Sequence, residues 1–397
     1  MSSFNTIANL DVTGKTVLVR ADLNVPAKDG KVTDTTRIDR FVPTVKALTE
    51  KGAKVVILSH FGRPKGGPDA QFSLHVVHSA LETALGCKVA FGNDCIGPEA
   101  ESVVRALNPG EVALLENLRF HPEEEKNDAD FAKKLAALGD IYVNDAFSCA
   151  HRAHSSTEAI AHLLPNAAGL LMQAELEALG KALEHPEKPV IAIVGGAKIS
   201  TKLDLLGNLV SKVGVLALGG GMANTFLFAQ GVSVGASLCE KDMADNARAI
   251  MAKASACGCR ILLPSDAVVA TTLAEGVPTE TVSISAIPEN QMMLDIGPES
   301  IVEFNSVISE CKTCVWNGPL GAFETKPFDA GTLAVARHAA DRVAVGALLA
   351  VAGGGDTVSA LAKAGVEDNM SYVSAAGGAF LEWLEGKELP GVKALAT

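Results

Sequence analysis

A strand that runs into a glycine turn and then into a helix recurs along this chain, and its clearest copy lies near the C-terminal end. The apolar run 346–352 precedes three glycines, and a helical pattern then begins with Asp356 and Thr357. Glycines let backbone N–H groups approach an anion closely, and a helix start adds roughly half a positive charge. The stretch favours a phosphate site, although a plain strand-to-helix turn has the same pattern.

The length and composition of the chain indicate its class. With 397 residues the chain is too long for one ordinary core, so two domains are expected. A hydrophobic content of 48% and a charged content of 20% are typical of a soluble globular protein. No apolar run reaches the roughly 20 residues of a membrane span, and residues 1–5 lack a secretory pattern, so a cytoplasmic protein that does not bind membranes is expected.

Charge and cysteine spacing exclude further classes. A net charge of −12 argues against nucleic acid as a partner. The cysteine pairs Cys257/Cys259 and Cys311/Cys314 lack the second pair or histidines of a zinc finger, so they are interpreted as buried free thiols.

Cations cluster in the first half of the chain, in the loops that follow predicted strands. Six of the 9 histidines fall within the first 154 residues. Arginines follow four apolar runs, and a fifth lies in the first turn of a helix predicted over about 34–51; they are Arg20, Arg63, Arg119, Arg152 and Arg37. A lone loop arginine is usually a solvated charge, but five together indicate a small, multiply anionic substrate. Arg20, Asp22 and Asn24 alternate onto one side of a strand end, and the run 123–126 is interpreted as a solvated loop.

The second half repeats the alternation with glycines and lysines. A strand at 190–194 leads to a glycine turn, and a helix is predicted to open at Lys198 and to include Lys202. Lysines at a helix start oppose its dipole unless an anion binds there, so both are predicted phosphate partners. Asp356 suits magnesium, and Glu324 suits ribose hydroxyls. We predict a nucleotide domain, linked to the first domain by a helix over about 170–185.

Taken together, these residues resemble the phosphoglycerate kinase family along essentially the whole chain. The stretches that carry the resemblance are 19–26, 60–64, 115–122, 144–154, 195–202, 219–224, 316–324, 353–357 and 381–390. The resemblance implies a glycolytic phosphotransferase that interconverts 1,3-bisphosphoglycerate and ADP with 3-phosphoglycerate and Mg-ATP. It also implies a monomer of two doubly wound parallel-sheet (Rossmann-like) α/β domains that close by hinge bending.

The resemblance also implies domain boundaries and residue roles. The domains would be 1–169 and 187–379, joined by the interdomain helix 170–186, with 380–397 returning to the first domain. The phosphoglycerate would be held by Arg20, Asp22, Leu23, Asn24, Arg37, His60, Phe61, Gly62, Arg63, Arg119, His151, Arg152 and His154. The nucleotide would be held by Lys198, Lys202, Gly219, Gly220, Leu294, Asn317, Pro319, Glu324, Gly353, Gly354, Gly355, Asp356 and Thr357. Asp356 would bind Mg²⁺, and the catalytic groups would be Arg37, Lys198, Gly377 and Gly378.

The chain departs from the family pattern at two places. Ala375 and Ala376 stand where the family has Thr-Gly, so a hydroxyl contact to phosphate is lost there, although the backbone donors remain. Ser148 and Cys149 stand where the family has Gly-Thr, and Cys149 is predicted to be inert.

Two other classes remain as alternatives. A nicotinamide-dependent dehydrogenase would also use doubly wound sheets, but the chain lacks the expected Gly-x-Gly-x-x-Gly turn and the acidic residue that follows it. A non-catalytic metabolite-binding protein would explain the arginines but not Lys198, Lys202 and Asp356.

Overall fold

The computed structural model describes residues 4–396 and divides into two units. The first unit runs to Glu177 and resumes at Glu388, and the second unit is Ala178–Lys387. Residues 1–3, which belong to the stretch 1–5 that lacks a secretory pattern, lie outside the described residues. None of the helices described between residues 4 and 396 has both the length and the apolar composition needed to cross a membrane.

The first unit is built on a six-stranded parallel sheet with the strand order β5-β6-β4-β1-β7-β8. A two-stranded ribbon, β2 with β3, lies outside it. The strands and helices of this unit, in chain order, are β1 (Thr16–Arg20), β2 (Ala27–Lys28), β3 (Lys31–Val32), α1 (Thr36–Glu50), β4 (Lys54–Leu58), α2 (His75–Leu85), β5 (Val89–Gly92), α3 (Gly97–Ala106), β6 (Val112–Leu115), α4 (Ala129–Ala136), β7 (Ile141–Asn144), β8 (Asn166–Ala168) and α5 (Leu170–Leu179).

The second unit has its own six-stranded parallel sheet, ordered β11-β10-β9-β15-β16-β17, and a three-stranded antiparallel sheet, β13-β12-β14. Its elements are β9 (Val190–Val194), α6 (Leu203–Leu209), β10 (Val215–Leu218), α7 (Gly220–Ala229), α8 (Ala244–Cys257), β11 (Arg260–Leu262), β12 (Asp266–Ala270), β13 (Glu280–Ser283), β14 (Met292–Ile296), α9 (Pro298–Glu310), β15 (Thr313–Asn317), α10 (Ala330–Ala344), β16 (Leu349–Gly353), α11 (Gly355–Ala364), β17 (Tyr372–Ser374) and α12 (Gly377–Leu384). A last short helix, α13 (Pro390–Lys393), belongs to the first unit.

Each large sheet is buried on both faces, which explains its nearly unbroken apolar strands. All five residues of β9 are buried, and Val17, Leu18 and Val19 of β1 have no exposed surface. Parallel strands need crossover helices, and these helices cover both faces of the sheet, so the strands carry apolar residues in succession rather than in alternation. The predicted fold class, an α/β protein with two doubly wound parallel sheets, is confirmed.

The strand register brings particular loops to one edge of each sheet. In the first unit Arg20 pairs with Leu58 on one side and with Asn144 on the other, so the segments after β1, β4 and β7 leave the sheet side by side. In the second unit Val194 pairs with both Leu218 and Asn317, which places three glycine-containing turns together. Ligands of doubly wound sheets bind at this carboxyl edge.

Several details differ from the sequence-based expectations. The helix after β9 begins at Leu203 rather than at Lys198, so the two lysines precede it and the argument from its dipole does not apply to Lys198. Helix α5 continues as a π-helical turn at Gly180–Glu184, and the division between units falls within α5, after Glu177. Residues 380–387 belong to the second unit, and only the chain from Glu388 belongs to the first.

The cysteines are free, as expected, but not all of them are buried. Cys259, Cys311 and Cys314 are buried, whereas Cys257 is exposed at the end of α8. The prediction of a buried Cys257 is therefore wrong. A helix shows one face to solvent, and Cys257 occupies its last position before the glycine that ends it.

Candidate functional site

Asp22 organises the first cluster of polar groups, at the end of β1. Its Oδ2 accepts hydrogen bonds from Arg37 Nη1 at 2.9 Å and from Ser148 Oγ at 2.5 Å. The same Arg37 nitrogen donates to the backbone oxygen of Asn24 at 2.8 Å, and the Asn24 side chain accepts from the N–H of Gly62 at 2.9 Å. Arg37 is thus held on one side while 39% of its side chain stays exposed, which suits a cation that meets a ligand.

Arg20 and His60 form a buried pair beside this cluster. Arg20 is only 1% exposed and His60 only 5%. Arg20 Nη2 lies 3.1 Å from His60 Nδ1, and Arg20 Nε donates to Ser156 Oγ at 2.8 Å. Burial opposes the charge of Arg20, but Cys149 and Glu124 nearby raise its pKa above the ordinary value. Burial and the charge of Arg20 lower the pKa of His60 well below its ordinary value, so His60 is neutral at pH 7.

Arg119 brings a second half-buried cation to the same edge. Its Nη1 donates to the backbone oxygen of Gly62 at 2.9 Å, and its Nε lies 3.3 Å from Glu125 Oε1. Burial lowers the pKa of Arg119. Gly62 therefore joins two predicted binding residues, because its N–H meets Asn24 and its carbonyl meets Arg119.

The remaining predicted residues of this unit differ in exposure. Arg63 and Arg152 are exposed, whereas His154 is buried and burial lowers its pKa to about 4. Leu23 and Phe61 contribute their side chains to the hydrophobic core, so only their backbone atoms are available to a ligand. His151 is half-buried, and its Nε2 accepts a hydrogen bond from Arg152 Nε at 3.3 Å.

The acidic run 123–126 is exposed at Glu123, Glu125 and Lys126, as the sequence predicts, but Glu124 is buried. Glu124 has no exposed surface, and its carboxyl group accepts from Ser156 Oγ at 2.5 Å and from Ser156 N at 3.0 Å. Its neighbour Glu125 pairs with Arg119. In sequence, a run of three glutamates resembles a surface loop. Here Glu124 accepts a hydrogen bond from Ser156 and Glu125 pairs with Arg119, and local composition cannot predict either contact.

The second unit centres on Lys202 and Asn317. Lys202 Nζ donates to the backbone oxygen of Gly195 and to Asn317 Oδ1, both at 2.7 Å. Asn317 Nδ2 donates in turn to the backbone oxygen of Gly353 at 2.8 Å. Burial lowers the pKa of Lys202 to about 8, while Asp356 acts in the opposite direction. One amide side chain thus connects the lysine to the glycine turn after β16.

That turn has the form predicted for a phosphate site. Gly353 ends β16, Gly354 adopts a φ of 99°, and α11 begins at Gly355. A Cβ on Gly354 would lie 2.6 Å from Asn317 Nδ2, so both the backbone conformation and the close approach require glycine. Thr357 is buried and accepts from the N–H of Gly318 at 2.7 Å, whereas Asp356 is exposed in the first turn of the helix.

A small, largely apolar cavity lies next to this cluster, at the end of β10. Gly220 and Leu294, both predicted to hold the nucleotide, line it together with Asn224 and Leu227. Gly219, which precedes α7, packs against Leu320. Its volume is only about 20 Å³, which is room for about one water molecule and too little for an aromatic base.

Other predicted residues of the second unit are placed less tightly. Lys198 is exposed. Burial opposes the charge of nearby Glu240, but the hydrogen bonds from Ser200, one of them at 2.6 Å, lower the pKa of Glu240, and the charge of Lys198 acts in the same direction. Glu324 is exposed in the chain after β15, and the backbone oxygen of Pro319 lies against Gly195. Gly377 and Gly378 form the first turn of α12, where backbone N–H groups have no partner within the helix.

Sequence reasoning missed the polar residues that support these groups. Ser156 and Glu124 hold Arg20, and Ser148 contacts Asp22 directly. A serine that follows the histidine-rich loop gives no signal of its own, because its role depends on a partner 32 residues earlier in the chain. Burial raises the pKa of the Cys149 thiol, which agrees with its predicted inertness.

The fold is that of a two-unit α/β protein, and it places the predicted binding residues at the carboxyl edge of both large sheets. The family model for phosphoglycerate kinase matches residues 7–387. The chain is 65% identical over 395 residues to the phosphoglycerate kinase of Rhodospirillum centenum, with 100% of both covered, and 62% identical over 394 residues to that of Rhizobium meliloti, with 99% of both covered. The chain belongs to the phosphoglycerate kinase family, and it is a glycolytic kinase.

Solved structures agree with this assignment. Phosphoglycerate kinase from Coxiella burnetii matches with a TM-score of 0.94 and 44% identity over 100% of both chains. The enzyme from Pyrococcus horikoshii matches with a TM-score of 0.80 and 31% identity over 98% of both chains.

Proposed function

We propose that the protein transfers a phosphoryl group reversibly between 1,3-bisphosphoglycerate and ADP, giving 3-phosphoglycerate and Mg-ATP. The observation that carries this proposal is that the two units contain different sets of groups, each suited to one of the two substrates. The first unit holds arginines suited to a small phosphorylated acid, and the second holds a lysine, an amide and glycine turns suited to a polyphosphate.

The first unit is proposed to bind the phosphoglycerate. Arg63, Arg119 and Arg152 would bind its phosphate, because guanidinium groups match pairs of phosphate oxygens. Asp22 and Asn24 would orient the hydroxyl and carboxyl groups, and they are themselves fixed by hydrogen bonds within the cluster. Neutral His60 adds a hydrogen-bond donor without adding charge.

The second unit is proposed to bind the nucleotide. The turn at Gly354 and the start of α11 would receive phosphate oxygens, and Lys202 would neutralise part of their charge. Asp356, an exposed carboxylate beside this turn, fits a magnesium ion, since Mg²⁺ prefers one or two carboxylates together with nucleotide phosphates. When bound, the ion would supply positive charge to the phosphates.

In the transfer step a carboxylate oxygen of 3-phosphoglycerate forms a bond to the γ-phosphorus as the bond from that phosphorus to the bridging oxygen of ADP breaks. No protein nucleophile takes part. Arg37, Lys198 and the N–H groups of Gly377 and Gly378 are the groups proposed to stabilise the charge on the oxygens of the transferred group. These donors belong to both units, since Arg37 lies on α1 and the others lie in the second unit.

The reaction is therefore proposed to need a hinge movement that closes the two units, because reacting atoms must come within about 3–3.5 Å and water must be excluded. Each substrate alone would favour closure weakly, and both together strongly. Small-angle scattering should show a lower radius of gyration only when 3-phosphoglycerate and a non-reactive Mg-ATP analogue are both present. The same radius in all four ligand conditions would contradict closure. We also propose that the protein acts as a monomer in the cytoplasm.

A coupled assay with 3-phosphoglycerate and Mg-ATP tests the proposed function. We expect ADP to form only when both substrates and magnesium are present, and chelation of magnesium to stop the reaction. Binding of both substrates without turnover would instead favour the alternative of a metabolite-binding protein.

A further inference from the structure

The acidic turn of the first unit makes contacts that its place in the sequence does not explain. The turn Glu124–Lys126 supplies a buried carboxyl group to Ser156 and an exposed one to Arg119. The chain after His154 is fastened to the same turn, because Ser155 N donates to Glu124 O at 3.0 Å. The two carboxylates therefore lie beside the cations of the proposed phosphoglycerate site.

Glu124 is linked to Arg20 through Ser156. Ser156 Oγ accepts from Arg20 Nε at 2.8 Å and donates its single proton to Glu124 Oε1 at 2.5 Å. A hydroxyl has one proton, so the direction of this chain is fixed. All three side chains are buried, and a buried guanidinium needs a nearby opposite charge to remain in place.

Arg20 in turn decides which nitrogen of His60 holds the proton. A guanidinium has donors only, so His60 Nδ1, 3.1 Å from Arg20 Nη2, must accept. In a neutral imidazole the proton then resides on Nε2, which is free to donate to a ligand oxygen. If Arg20 moved away, Nδ1 would lose this donor and either tautomer would become accessible.

We propose that Glu124, acting through Ser156, is a positioning residue that fixes Arg20 and thereby keeps His60 in the Nε2–H tautomer. The role in substrate binding rests on the proposed function. Because His60 already carries its proton on Nε2, it can donate a hydrogen bond to the phosphoglycerate without first changing tautomer. Glu124 itself touches no substrate in this proposal.

Nitrogen-15 NMR of the ligand-free, full-length protein labelled in histidine tests the tautomer directly. Substituting His60→Gln identifies the His60 signals among those of the 9 histidines. The unsubstituted protein should show a protonated Nε2 and an unprotonated Nδ1. Both E124Q, which removes the negative charge, and S156A, which breaks the chain but keeps the charge, should shift the signals toward a mixture of tautomers.

A matched control is available in the same turn. Glu123 is exposed, and E123Q makes the same change of charge one residue earlier, so it should leave the His60 signals unchanged. S156A removes one oxygen atom and therefore carries the test if E124Q fails to fold. Folded E124Q or S156A protein with the original His60 signals would overturn the proposal.

Steady-state kinetics separates this proposal from a failure of the proposed function. In E124Q and S156A the KM for 3-phosphoglycerate should rise about tenfold while kcat changes much less, as expected for a lost binding contact. An unaltered KM with altered tautomers would overturn the role in substrate binding. An inactive unsubstituted protein would contradict the proposed function, and the NMR result on the ligand-free protein would still decide the role of Glu124.

Discussion

The two candidate sites are proposed to bind anions with different kinds of chemical group. In the first unit the proposed anion-binding groups are side chains: the buried Arg20 is linked to Glu124 through Ser156, and the half-buried Arg119 pairs with Glu125. In the second unit most of the proposed donors are backbone N–H groups at glycine turns, with Lys202 as the one half-buried cation in the part of the site that the structure describes.

This difference indicates where each site is sensitive to substitution. A buried charge must be compensated, so the first site depends on polar partners far away in sequence, such as Ser156. A backbone donor has no charge to compensate, but it requires room for close approach, so the second site depends on the absence of side chains. Substitutions should therefore weaken the first site through lost partners and the second through steric clashes.

The largest effect is expected at Lys198, the exposed cation of the second unit. If Lys198 contacts the transferred phosphoryl group only in the transition state, Lys198→Ala should lower kcat by about a hundredfold to a thousandfold and should change the KM for ATP little. Steady-state kinetics with varied ATP measures both values. An unchanged kcat would remove Lys198 from the catalytic step.

The steric requirement of the second site is tested at Gly195. A Cβ at this position would lie 1.7 Å from the backbone oxygen of Pro319, and backbone cannot swing aside as a flexible side chain can. Gly195→Ala should lower the free energy of unfolding by about 3 kcal/mol or more. Gly207, within α6, meets nothing within 4 Å, so Gly207→Ala should stabilise the fold by about 0.5–1 kcal/mol. Equal effects in denaturant melts would contradict the contrast.

The dependence of the first site on side chains is tested at Arg63. This exposed arginine is proposed to hold the substrate phosphate both before and during transfer, so Arg63→Ala should raise the KM for 3-phosphoglycerate about tenfold with a smaller change in kcat. Calorimetry should show unchanged ATP affinity. A loss of ATP affinity instead would show that the arginine serves the nucleotide.

The sequence predicts much of this molecule because its main signals are local. Apolar runs mark the parallel strands, and the turn at Gly354 could be predicted because strand, glycines and helix start are consecutive. The partners of buried charges could not be predicted in the same way. Glu124 and Ser156 are far apart in the chain, and a glutamate run and a serine have no periodic pattern that announces burial. The sequence predicts a helix start at Lys198, but the helix begins at Leu203, because the turn after β9 is longer than its glycines alone suggest.

The smallest expected effect concerns the one half-buried cation of the second site. Burial lowers the pKa of Lys202 to about 8, so near pH 8 about half of the ligand-free molecules lack this charge. Phosphate groups beside Lys202 would favour its charged form and raise its pKa. Nucleotide binding near pH 8 should therefore take up a fraction of a proton, and affinity should fall as pH rises above 8.

Calorimetry of Mg-ATP binding at pH 8, in buffers with different enthalpies of ionisation, measures this uptake. Lys202→Met should abolish the uptake and weaken binding, whereas Lys198→Ala, in the same loop but exposed, should retain it. The lowered pKa of Lys202 also affects the stability of the fold, and here the change with pH is opposite to that of nucleotide affinity. The folded state binds fewer protons than the unfolded state between about pH 8 and the ordinary lysine pKa of 10.5, so the contribution of Lys202 to stability should increase as pH rises through that window. Proton uptake that persists in Lys202→Met would assign the titration to another group and would leave the glycine turns as the main determinant of this site.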